Sequence, residues 1–220
     1  MRKLVGSVFQ SLDGIMQAPG GPSEDPTGGF ELGGWLTSYF DETAGSRIGR
    51  LFSAPFDLLL GRKTYEIFAA HWPYASGEEA SLGKAFTQAT KYILTRGGTS
   101  LDWENSQALP DMDAVASLKS SSGPNLLIQG SSTLYPELLR KGLLDQLMVL
   151  TFPVVLGHGK RLFGNGTPPG ALKLVDHELS SRGVLIATYE PNGEIPLGSF
   201  QHAKPSTREI ARQERMRREG

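Results

Sequence analysis

Cysteine is absent from the 220 residues. That excludes disulfides, iron–sulfur clusters, thiolate zinc sites and a cysteine nucleophile. It also fits a reducing compartment, and a cytoplasmic protein is the expectation. The four histidines, His71, His158, His177 and His202, show no ligand spacing, so no metal is expected. A basic excess is missing: 22 Lys and Arg stand against 23 Asp and Glu, a formal net charge of −1. Chains built to hold nucleic acid usually carry such an excess. Long hydrophobic runs are missing too. The longest, Leu147 to Leu156, is interrupted by Thr151 and Pro153 and is too short to span a bilayer. The opening Met1-Arg2-Lys3 leads into an apolar run broken at Gly6, Ser7 and Gln10, which reads as a first strand and lacks a cleavage signal. No G-x-S-x-G, H-E-x-x-H or P-loop occurs; Gly77 and Gly83-Lys84 are one residue too far apart for the last.

What is present is a 39% hydrophobic chain, enough for a substantial core and an enclosed site. Glycine (27) and proline (14) are in excess of ordinary usage. They crowd the segment 18–34, where Phe30, Leu32, Trp35 and Leu36 offer apolar anchors. A loop of that length in a compact domain is usually functional or disordered, and the anchors favour function. The periodicities predict strands at Lys3–Leu12, Phe56–Leu60, Lys91–Thr95, Asn125–Gln129 and Gln146–Phe152. They predict helices at Thr37–Ala54, Lys63–Ala70, Glu78–Gln88, Asp111–Ser120 and Ser131–Lys141, the last capped by Ser131. A hairpin, Leu172–Ser180 with Val184–Glu190, ends the pattern. Strand–helix alternation implies an α/β fold, mostly parallel in the middle and antiparallel at the end. One domain over 1–195 and a polar tail over 196–220 follow. From 201 onward six basic side chains face three acidic ones, the pattern of a solvated helix, a disordered tail or a contact arm.

Three strand ends carry polar loops: Gly61-Arg62-Lys63-Thr64, Thr95-Arg96-Gly97-Gly98 and Gly130-Ser131-Ser132-Thr133. In a parallel sheet all three lie at the carboxyl edge, where open α/β sheets bind ligands. Two run into helices, whose free N–H groups and positive dipole end suit phosphate. Glycine admits close approach, hydroxyls add donors, and Arg62, Lys63 and Arg96 add charge; a guanidinium fork fits a terminal phosphate. Together these loops suit a dinucleotide with an extra phosphate.

These residues carry a resemblance. Phe56-Asp57-Leu58-Leu59-Leu60-Gly61-Arg62-Lys63-Thr64-Tyr65-Glu66 with His71-Trp72-Pro73 is similar to the strand–turn–helix signature of the dihydrofolate reductase superfamily. Leu127-Ile128-Gln129-Gly130-Ser131-Ser132-Thr133-Leu134 is similar to its second cofactor loop, although that loop often has consecutive glycines and this one has a single Gly130. Ser11-Leu12-Asp13-Gly14 and the run Pro153–Phe163 resemble one branch, the reductase domain of bacterial riboflavin biosynthesis and its stand-alone RibD C-terminal-like relatives. The resemblance spans roughly residues 2–190. It implies a dihydrofolate-reductase-like three-layer fold and an NADPH-dependent reductase of a small heterocyclic or ribosylaminopyrimidine-like substrate. By position, Gly61, Arg62, Lys63 and Thr64 would hold cofactor phosphates, Thr95 and Arg96 would sit by the adenosine 2′-phosphate, and Gly130, Ser131, Ser132 and Thr133 would cradle the pyrophosphate.

Hydride transfer to a C=N or C=O acceptor also needs a proton or a charge stabiliser. Asp13, at the end of the first strand, is the first candidate, with a turn-forming Asp-Gly pair as its other reading. Asp41 and Glu42 are second candidates, their other reading being a solvated helix start. Trp35, Tyr39 and Phe40 are candidates for stacking on a planar heterocycle or for the core. Gln17 is a candidate substrate contact, and His158 and Lys160 sit in a glycine-bounded turn. A competing reading is a non-catalytic NADP(H)-binding sensor or assembly subunit. A homodimer pairing through the apolar stretch 145–163 is expected in either case.

Overall fold

The computed structural model describes residues 1–98, 100–201 and 204–219, so His202 lies outside the described residues. Strand β1 (Leu4–Ser11) leads through the glycine-rich segment to α1 (Glu42–Leu51). There follow β2 (Phe56–Gly61), α2 (Arg62–His71), α3 (Ala80–Gln88), β3 (Lys91–Leu94), β4 (Ser106–Leu109), α4 (Met112–Ser120), β5 (Asn125–Gln129), α5 (Tyr135–Arg140), β6 (Gln146–Phe152), β7 (Leu172–Leu179), β8 (Leu185–Pro191) and α6 (Thr207–Glu219). The strands form one sheet in the order β4-β3-β2-β5-β1-β6-β8-β7. All pairs from β4 to β6 are parallel, and the β6–β8–β7 pairs are antiparallel.

Period-2 alternation sorts the side chains. Leu4 and Val8 of β1 face a core shared with Met112 and Val115 of α4 and Tyr135 and Leu138 of α5. Val5 faces the opposite side, with Tyr65 of α2 and Phe86 of α3. Met148, Leu150 and Phe152 of β6 lie under Ala44 and Ile48 of α1. Helices therefore cover both faces, and the fold is a three-layer α/β sandwich. The buried Arg2–Asp57 ion pair and the Lys119–Asp145 pair, whose carboxylate also accepts from Leu4 N (2.7 Å), anchor the entry to β1.

Three local expectations are corrected. The helix expected from Thr37 starts at Glu42, because Asp41 accepts from Ala44 N and caps it there; residues 34–40 form tight turns. Ser131 does not cap a continuous helix. It is left-handed (φ 57°) and precedes a 3-10 turn at Ser132–Leu134 that leads into the shorter α5. The stretch 145–163 offers no free strand, since β6 is paired on both sides, with β1 and β8. Helix α6 forms, with no buried residue, held by pairs such as Arg212–Glu209 at 2.7 Å. No helix among the described residues is long and apolar enough to cross a membrane.

Tyr135 is wholly buried and its hydroxyl has no hydrogen-bond partner among the described residues; burial pushes its ionisation above the ordinary range. A buried donor without a partner costs free energy. Tyr135→Phe is therefore expected to leave stability unchanged or raise it by up to about 1 kcal/mol in chemical denaturation.

Candidate active site

Because β3, β2 and β5 are neighbours in the sheet and run parallel, their carboxyl ends bring three loops side by side. Gly61 ends β2 and is the N-cap of α2, so Arg62, Lys63 and Thr64 form that helix's first turn, where N–H groups have no intrahelical acceptor. Thr95 and Arg96 leave β3. Gly130 (φ 67°) and Ser131 (φ 57°) follow β5 as two successive left-handed residues. The Gly130 N–H donates to Ser7 O at 3.4 Å, so the concavity this turn offers an anion is built from the N–H groups that follow it. Where consecutive glycines would be usual, Ser131 carries the strain of this conformation. Its Oγ accepts from Gly61 N at 3.0 Å and so locks the first and third loops together.

All of Gly61, Arg62, Lys63, Thr64, Thr95, Arg96, Gly130, Ser131, Ser132 and Thr133 line one cleft of about 1040 Å³. The far wall comes from β1 and the segment after it, through Phe9, Met16, Ala18, Pro19, Glu24 and Asp25, with Ile67 and Phe68 of α2 beside them. Arg62 is engaged by Glu66 at 2.7 Å. Arg96 has no ion-pair partner among the described residues. Lys160 pairs with Asp25 and donates to Thr27 Oγ1 at 2.9 Å, and Lys63 reaches the same hydroxyl at 3.4 Å. The Lys160 ammonium beside Lys63 lowers the Lys63 pKa from its ordinary value. The cleft lining as a whole is balanced, five basic side chains against five acidic ones, and Arg62, Lys63 and Arg96 gather positive charge at the strand-end loops.

The family model of the RibD C-terminal domain matches residues 2–186. The chain belongs to the RibD C-terminal domain family. Among relatives, the uncharacterized protein YyaP of Bacillus subtilis (strain 168) is 25% identical over 202 residues, covering 87% of this chain and 96% of YyaP. The uncharacterized protein YwjB of the same organism is 25% identical over 178 residues, 79% of this chain and 89% of YwjB. In fold, the chain resembles a candidate riboflavin biosynthesis protein from Shewanella sp. PV-4 (TM-score 0.64, 18% identity, 86% of this chain and 99% of that one). It also resembles a pyrimidine reductase-like protein from Corynebacterium diphtheriae (0.60, 12%, 88% and 93%). Dihydrofolate reductase from Enterococcus faecalis, complexed with NADP(H), shares the architecture at 0.52, with 14% identity over 86% of this chain and 96% of that one. The fold is dihydrofolate-reductase-like, and the family is one of reductase-type domains of the riboflavin and dihydrofolate kind.

Within this RibD C-terminal-type domain, the structure gives several expected substrate and acid residues another task. Asp13 lies outside the cleft. Its carboxylate accepts from Ser11 Oγ (2.6 Å), Leu156 N (3.1 Å) and Gly157 N (2.9 Å), so it ties the loop after β6 to the end of β1. Burial opposes its ionisation, but the Ser11 hydroxyl and the Leu156 and Gly157 N–H groups outweigh it and hold the pKa at about 2. Asp41, the cap of α1, also accepts from Ser181 Oγ at 2.8 Å and lies outside the cleft. Trp35 donates to Gln17 O (2.8 Å) and packs edge-on to Phe152. Phe40 packs edge-on to Phe9 at the surface. Gln17 lines the cleft with its amide spent on Asp25 O, Thr27 O and Lys160 N. Gln17 thus shapes the glycine-rich segment.

The site also contains residues that sequence reasoning did not assign to it. Glu24, Asp25 and Asp111 line it; Lys160 was marked only by its glycine-bounded turn. The Asp25–Lys160 pair joins positions 135 residues apart, a relation that neither segment signals alone.

Because Asp13 has its pKa depressed on folding, its contribution to stability is full above the ordinary value of 3.8 and is lost as pH falls from there through about 2. Asp13→Ala should remove this acid-limb dependence and speed amide exchange at Leu156 and Gly157, which hydrogen-exchange mass spectrometry reads directly.

Proposed function

We propose that this chain is an NADPH-dependent reductase that transfers hydride to a small N-heterocyclic substrate of the ribosylaminopyrimidine or pteridine kind. The observation that carries the reading is the convergence of ten anion-suited residues from three strand ends on one cleft. The donor set fits the cofactor. The start of α2, the turn at Gly130-Ser131 and Arg96 supply N–H groups and a guanidinium for a pyrophosphate and a separate phosphate monoester. Pockets for single drug-sized ligands run to about 1,000 Å³, so this cleft has room for an extended cofactor and part of a second reactant. When bound, NADPH supplies the hydride.

In this reading Arg62, Lys63 and Thr64 hold phosphate oxygens through the first turn of α2, and Gly61, whose N–H is taken by Ser131 Oγ, lets the phosphate approach. Ser131, Ser132 and Thr133 do the same from the third loop, with Gly130 making the turn. Arg96, with Thr95, meets the 2′-phosphate. Phe9, Met16, Ile67 and Phe68 provide the apolar wall that keeps water from the reacting carbon. The test is a screen of pteridines, ribosylaminopyrimidines and cyclic imines with NADPH, followed by loss of NADPH absorbance and by product mass. Turnover of one class supports the reading. NADPH binding without turnover of any class would favour the sensor alternative. For a homodimer, the exposed edge strand β7, with Leu172, Leu174, Val175 and Leu179 at its surface, is the proposed pairing surface in place of β6. Sedimentation velocity with Leu174→Lys checks it.

A further inference from the structure

The match to the family ends at residue 186, and the chain runs on to residue 220. Past Gly193, whose carbonyl accepts from Ala171 N at 2.9 Å, this arm leaves the sheet. Its apolar side chains stand in solvent. Leu197 is 92% exposed, Phe200 is wholly exposed, and Ile210 and Met216 are exposed on α6, which has no buried residue. Large apolar groups gathered at a surface mark a contact site.

The hairpin at the foot of the arm has a matching face. Its register sets Leu172, Leu174 and Leu179 of β7 beside Pro191, Tyr189 and Leu185 of β8. That is the side of the sheet on which Leu147 and Val149 of β6 meet α4 and α5. At the hairpin this side is open: every residue of β7 is exposed except the half-buried Glu178. The other side is held by Arg47 of α1, which pairs with Asp176 and Glu178. Charge is complementary as well. From 171 to 194 two basic side chains stand against four acidic ones, whereas α6 sets five arginines against three glutamates.

We infer that the arm of each chain docks across the open β7–β8 face of a second copy, in an arm-exchanged homodimer. Leu197 and Phe200 seat on the leucines of the hairpin, and α6 lies along its acidic rim. The reach suffices: residues 192–206 extend to about 50 Å, against roughly 26 Å for β7. The chain's own hairpin does not hold the arm, although the open face begins beside Gly193. A two-fold exchange covers two faces and two arms at once. It adds to the edge pairing of β7 proposed above and does not depend on it.

The chain has no cysteine, so introduced ones react alone. Full-length Leu174→Cys, Phe200→Cys and the double variant are treated with a short bis-maleimide. Both positions are exposed, so the fold is spared. The double variant should give a covalent dimer, several-fold more of it than either single variant. In sedimentation velocity the wild type should be a dimer, and Phe200→Asp should weaken it about tenfold or more, the loss of one anchor side chain. NADPH affinity should match in these two proteins, because among the described residues none of β7 or the arm lines the cleft. A monomeric wild type, or a link formed within one chain, overturns the inference. So does a dimer yield no higher than that of Leu174→Cys alone, or an unweakened dimer in Phe200→Asp.

Discussion

Arg96→Ala is expected to weaken NADPH binding by about 10- to 150-fold, the equivalent of one charge-assisted contact, while leaving NADH affinity near that of the wild type. The asymmetry follows from the partners. Arg62 already spends its guanidinium on Glu66 at 2.7 Å, so removing it should cost less and affect both cofactors similarly. Arg96 stands at the cleft without an ion-pair partner among the described residues, beside Thr95 and the turn at Gly97 (φ 100°) and Gly98 (φ 77°). A guanidinium so placed gains most from a phosphate monoester and little from a ribose hydroxyl. Isothermal calorimetry on the two variants separates these cases. An Arg96→Ala protein that binds both cofactors as the wild type does would remove Arg96 from the 2′-phosphate site.

Gly6→Ala is expected to destabilise the domain by about 3 kcal/mol, as an overpacked core does. Gly6 lies in β1, bonded on both sides to parallel strands. A Cβ there would stand 2.7 Å from Tyr135 Cε1, 2.8 Å from its hydroxyl and 3.0 Å from Leu147 Cδ1. The ring is wholly buried and has nowhere to move. The glycine is therefore a packing requirement: the α5 aromatic rests directly on the strand backbone. The double substitution Gly6→Ala with Tyr135→Leu should recover part of the loss, because neighbours that share a space are non-additive. Urea denaturation of the four proteins of this cycle measures the coupling. Strict additivity would mean that strand strain, not the ring, limits the site.

The parts of the fold that were legible share a physical cause. Strands β1, β2, β5 and β6 are apolar and bounded by Gly or Asp, and Asp111 announces α4 as an N-cap. Their signals are local, so one sequence carries them. Strand β4, Ser106–Leu109, is short, polar at both of its first residues and half exposed, and nothing local marks it; its pairing with β3 makes it a strand. The aromatic run Trp35–Phe40 has helical spacing, yet Asp41 as cap and the bond from Gly34 N to Ala18 O turn the chain there instead.

The phosphate-suited loops were legible for a related reason. Each is a strand end with glycine, hydroxyl and charge within four residues, and parallel topology alone brings such ends together. The acids were not. Asp13 and Asp41 sit where an acid would be sought, at a strand end and a helix start, but backbone N–H groups from residues 143 or more positions away consume Asp13 at Leu156 and Gly157. Glu24 lies in a loop whose path depends on Gln17, Trp35 and Lys160, long-range contacts that composition does not encode.

The central claim is that the three loops form a site for NADPH. Calorimetric titration of the purified chain with NADPH and with NADH tests it most directly. The account predicts one site per chain, tight for NADPH and at least about tenfold weaker for NADH, the difference expected of one phosphate–guanidinium contact. Equal affinity for the two, or no heat from either, would contradict it.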